Sequence, residues 1–104
     1  MVPYDYEKEI ENVKAQLINK FHPLGIVLFG SCAKRRVTRF SDIDICVIME
    51  TNNKRQTARD ILLEIESEMD LDVVVCTPSE WITYKDNPAT LTGIINRTGV
   101  RLLG

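Results

Sequence analysis

The chain has 104 residues, with 13 Lys and Arg against 15 Asp and Glu and a formal net charge of −2. That length suits one core, so a single domain over residues 1–104 is expected. No basic tail or run extends beyond residues 34–39, which argues against general nucleic-acid binding and polynucleotide synthesis; no apolar stretch reaches the roughly 18 residues of a membrane span and no signal-peptide pattern is present, so the expectation is a soluble, cytoplasmic protein.

A first helix is expected ahead of His22-Pro23, with Asp5 able to cap it and Ile10, Val13, Leu17 and Ile18 forming one apolar stripe that ends near Lys20. His22 itself reads as a loop residue. Residues 25–29 (Gly-Ile-Val-Leu-Phe) read as a buried strand that stops at Gly30-Ser31. There glycine lets the backbone approach an anion and Ser31 adds a hydroxyl donor; a short helix opening at Cys32 turns its free N–H groups and positive dipole end to the same spot. Residues 42–49 are apolar and β-branched apart from their acids, and make a second buried strand. Too few residues separate it from Gly30 for a parallel crossover with a full helix, so the two strands should be antiparallel neighbours.

A helical stretch with Ile61, Leu62, Ile65 and Met69 on one side follows, long enough for a right-handed crossover to a third buried strand at residues 71–76, parallel to the second. Thr77-Pro78-Ser79-Glu80 combines an N-cap, a proline at the first helical position and the glutamate of a capping box. Trp81 and Tyr84 ride on that helix, and Trp81 reads as core. A further helix from Ala89 carries Leu91, Ile94 and Ile95 and stops at Gly99, leaving residues 100–103 as an edge strand. The expected fold class is α/β in the α+β sense: a small mixed β-sheet flanked by helices, in the order α-β-α-β-α-β-α.

The chemistry gathers at one edge of that sheet. Period-2 alternation puts Asp42 and Asp44 on the same face, about 7 Å apart at Cα. A hard cation such as magnesium takes carboxylates plus substrate phosphate oxygens and keeps several waters, so two carboxylates are a sufficient protein share for one ion or a two-ion clamp. Parallel strands align their starts, which places Asp72 about 5 Å from Asp44. An isolated Asp-x-Asp is commonly a turn or cap. Three apolar strands with their polar residues at one shared end are another matter, because buried acids are costly unless paired or metal-bound. Lys34, Arg35, Arg36 and Arg39 flank this edge and can neutralise phosphate charge. Cys32, Cys46 and Cys76 are odd in number and widely spaced, and read as reduced thiols; the latter two are core filler, and Cys32 reads as a passive small residue, at a position where a helix N-terminus can lower a thiol pKa.

The run from Gly30-Ser31-Cys32-Ala33-Lys34 to Ser41-Asp42-Ile43-Asp44 resembles the motif of the nucleotidyltransferase superfamily that includes DNA polymerase β. It is most similar to the minimal nucleotidyltransferases (MNT), the antitoxin partners of HEPN-domain toxins, whose usual run is Gly-Ser-x-Ala-Arg-Gly, a short spacer, then Ser-Asp-x-Asp. The resemblance implies a small mixed sheet with helices, and transfer of a nucleoside monophosphate, AMP from ATP, to a hydroxyl of a HEPN-type protein, by resemblance a tyrosine. Carried over, Gly30, Ser31 and Lys34 hold the triphosphate tail, Asp42 and Asp44 bind Mg2+, and Asp72 completes the metal site or deprotonates the acceptor. Arg35 stands where the family has glycine. The alternative is a catalytically weak module of the same fold that neutralises a partner by masking it. A haloacid-dehalogenase-type phosphatase fits poorly: its Asp-x-Asp closes a strand and is followed by Thr or Val, whereas here the pair opens the strand and Cys46 follows. Base specificity, the acceptor, and whether the protein forms a homo- or hetero-oligomer stay open.

Overall fold

The computed structural model describes residues 6–33 and 42–104. The Asp5 cap and the cluster of Lys34, Arg35, Arg36 and Arg39 lie outside them. Helix α1 (Tyr6–Phe21) buries Ile10, Val13 and Leu17, the stripe that a 3.6-residue period predicts. It ends at His22, whose φ of 50° is left-handed and whose N–H donates back to the Ile18 carbonyl at 3.3 Å, the usual way a helix turns off.

Strand β1 (Gly25–Phe29) runs into the four-residue helix α2 (Gly30–Ala33), which opens at Gly30, two residues earlier than the sequence suggests. Strand β2 (Ile43–Ile48), helix α3 (Lys54–Glu64), strand β3 (Leu71–Cys76), helices α4 (Pro78–Tyr84) and α5 (Leu91–Thr98) and strand β4 (Val100–Leu103) complete the described order. The sheet is ordered β3-β2-β1-β4, with β1 antiparallel to β2 and β4, and β2 parallel to β3. The expected α-β-α-β-α-β-α series is thus followed by α5 and β4, the further helix and edge strand also read from the sequence, and β4 pairs with β1 at that edge of the sheet.

Alternation divides β2 between two cores. Ile43, Ile45 and Val47 pack with α1 and with Ile61 of α3 on one face, while Cys46 and Ile48 pack with Cys76, Trp81 and Ile95 under α4 and α5 on the other. Asp44 shares the parity of Cys46, and Asp72 that of Cys76, so both acids belong to the α4–α5 face.

The crossover departs from the expected helix. α3 stops at Glu64, Leu62 is 48% exposed, and Ile65 and Met69 are buried from the irregular segment that follows. Burial there comes from α1, whose polar side chains satisfy backbone groups left open after the last helical turn. Gln16 donates to the Glu66 carbonyl at 2.7 Å and accepts from the Glu66 N–H at 2.8 Å, Asn12 also donates to that carbonyl, and Lys20 donates to the Glu64 carbonyl. With Ile65 and Met69 in the core and the Ile43 N–H donating to the Asp70 carbonyl at 2.8 Å, the start of β3 is held in step with β2.

Helix α4 begins with the expected capping box. Thr77 Oγ1 accepts from the Glu80 N–H at 3.2 Å and the Thr77 N–H donates to Glu80 Oε1 at 3.1 Å. Lys54 donates to Glu80 Oε2 at 2.7 Å, tying the start of α3 to the start of α4. α5 begins at Leu91 rather than Ala89, because Thr90 is its N-cap. No helix among the described residues is long and apolar enough to cross a membrane.

Candidate active site

The turn at the end of β1 depends on glycine twice over. Gly30 has a φ of 74°, a region that residues with a Cβ enter at a cost. A Cβ built there would also collide with Oδ2 of Asp44. The Asp44 carboxylate is therefore packed directly against the backbone of the Gly30 turn. Ser31 lies within α2, next to this contact, while Lys34 falls outside the described residues.

The acids stand at the adjoining strand starts. Asp44 is paired with Phe29 across the antiparallel ladder and with Asp72 across the parallel one, which sets the Asp44 and Asp72 backbones one strand spacing apart. Asp42 precedes β2 by one residue. Asp42 and Asp72 are exposed and Asp44 is half-buried, so the expectation of three buried acids is corrected: of the three, Asp44 is the one held partly out of solvent. Its pKa is raised above the ordinary carboxylate value, first by burial, then by the charge of Asp72, then by that of Asp42. Like charges converge on one carboxylate here, a field that a cation would relieve.

Among the described residues no group of three His, Cys, Asp or Glu side chains is gathered closely enough to hold a metal ion unaided. The donors present are carboxylate oxygens, however, and they fit magnesium in the way that ion is commonly held, with a few carboxylates and the remaining positions filled by phosphate oxygens and water.

A fourth acid escapes the sequence reading. Asp70-Leu71-Asp72 repeats the pattern of Asp42-Ile43-Asp44, and the hydrogen bond from the Ile43 N–H to the Asp70 carbonyl continues the ladder one step ahead of the Ile43–Leu71 pair. Asp42 and Asp70 thus precede the first paired residues on adjacent strands. The signal was present as a second Asp-x-Asp at a strand start.

Cys46 and Cys76 stand apart from this chemistry, and the Cys32 side chain lies outside what the structure describes. Cys46 is buried and its thiol is pushed up to about 12, first by burial and then by the neighbouring Cys76. Burial also raises Cys76, whose Sγ donates to the Thr77 carbonyl at 3.4 Å. Both are protonated, inert core groups at neutral pH. Trp81 is 6% exposed, with the Arg101 guanidinium 5.3 Å from its ring centroid, and serves as core as its sequence context suggests.

Residues 11–103, a span that takes in the Gly30 turn, all four acids and β1 to β4, match the family model described as Polymerase beta, Nucleotidyltransferase. No curated protein matches the chain.

Proposed function

Because the chain belongs to the polymerase β nucleotidyltransferase family, we propose that it is a magnesium-dependent nucleotidyltransferase of the minimal, cytoplasmic kind, moving AMP from ATP to a hydroxyl on a partner protein. The observation that carries the reading is the meeting of Asp44 with both the Gly30 turn and Asp72. Asp42 and Asp44, with Asp72, are the residues to hold Mg2+, and the ion, when bound, supplies neutralisation of triphosphate charge. Gly30, Ser31 and Lys34 receive the triphosphate: a bare backbone at Gly30 admits a phosphate oxygen where a side chain would exclude it.

In the transfer, the acceptor hydroxyl oxygen bonds to the α-phosphorus, the bond from that phosphorus to the bridging oxygen breaks, and pyrophosphate leaves. The hydroxyl proton passes to the exposed Asp72 carboxylate, which stands beside Asp44 without sharing its burial. The reading places the acceptor on another protein; a HEPN-type helical partner, with this chain as its antitoxin, is the arrangement we favour. Exposed apolar side chains on α4 and α5, with Ile82 70% and Leu91 55% exposed, favour protein docking and also keep alive a second reading, in which the domain neutralises its partner by masking alone.

The test is incubation with a HEPN-type partner and each of the four labelled nucleoside triphosphates in magnesium, followed by intact-mass measurement. An adduct of one nucleoside monophosphate on the partner, lost with Asp72→Asn while the complex persists, is the expected result. A stable complex with no mass increase from any nucleotide overturns transfer in favour of masking.

A further inference from the structure

We draw no further inference here: the strongest candidate, the 370 Å3 groove between the first turns of α1 and the edge strand β4, floored by Ile10, Leu28 and Leu102 and rimmed by Glu11, is an apolar cavity for which nothing in the structure shows what covers it.

Discussion

One face of β2 and β3 carries carboxylates at one end and thiols at the other. Asp44 and Cys46 are two residues apart on the same strand and the same side, and burial is the first cause of the upward pKa shift at both. The outcomes differ because the surroundings differ. Cys46 is sealed beneath Trp81 and Ile95 and stays a neutral thiol. Asp44 is half-buried, with Asp72 and Asp42 adding repulsion and the Gly30 backbone against its oxygen. Full burial silences a titratable group, whereas partial burial among like charges leaves a group that gains from binding a cation.

That contrast is open to direct attack. The largest effect is expected from Asp44→Asn, which should weaken magnesium-dependent ATP binding by more than about 100-fold, the upper end for losing a group that merely orients a metal ligand. Calorimetry with and without magnesium measures it, and equal affinity in the parent and the variant would remove Asp44 from the site. Gly30→Ala comes next. Forcing a side chain into a left-handed position against a carboxylate should cost about 1–3 kcal/mol of stability, read by urea unfolding, and should reduce ATP affinity; a fully stable variant would mean that the turn relaxes freely.

At the thiol end the expectation is the reverse. Cys46→Ala should lower stability by roughly 1–2 kcal/mol by leaving a small cavity while magnesium-dependent ATP affinity stays unchanged. Native Cys46 should also resist a thiol reagent at neutral pH, and rapid labelling of the folded protein would contradict its burial.

A smaller effect concerns stability without magnesium. The folded-state pKa of Asp44 lies above the ordinary carboxylate value, chiefly through burial, so in the pH range between the unfolded and folded pKa the folded protein binds the proton more tightly than the unfolded chain. Stability from this group is therefore fully present below the unfolded pKa and is lost as pH rises through the folded one. Asp44→Asn should accordingly raise the thermal midpoint at neutral pH by roughly 1–3 °C, a modest gain because solvent screens a half-exposed charge. The gain should shrink on acidification. A neutral-pH midpoint that falls instead would show that the carboxylate is stabilised by a partner, not strained by its neighbours.

The smallest effect is assigned to Asp70→Asn. The ladder uses the Asp70 carbonyl, its side chain is exposed, and the charges acting on Asp44 are those of Asp72 and Asp42. ATP affinity should stay within about 2-fold, as for most exposed charges outside a built site; a loss matching that of Asp44→Asn would extend the site to a fourth carboxylate.

Much of the molecule was legible from local pattern. The apolar run at Gly25–Phe29, the β-branched runs of β2 and β3 and the Thr77–Glu80 capping box each form as read, and the antiparallel and parallel pairings follow from the lengths of the connections. The meeting of Asp44 and Asp72 follows from those pairings, since parallel strands with aligned starts leave their first acids side by side.

Hydrophobic periodicity, caps and connection lengths are short-range properties, and the sequence by itself determined the strands, the helices and the edge at which the acids meet. Burial is a property of what packs from elsewhere, and only the tertiary structure decided it. Asp42, Asp44 and Asp72 look alike as residues, yet Asp44 is half-buried against the Gly30 turn while Asp42 and Asp72 are exposed. Ile65 and Met69 look like one more helical turn, yet Gln16 and Asn12 of α1 satisfy the backbone at Glu66 and let the chain leave the helix while still burying both side chains. A helix continues only while its own next hydrogen bond is better than the alternatives, and here a distant helix supplied the better partner.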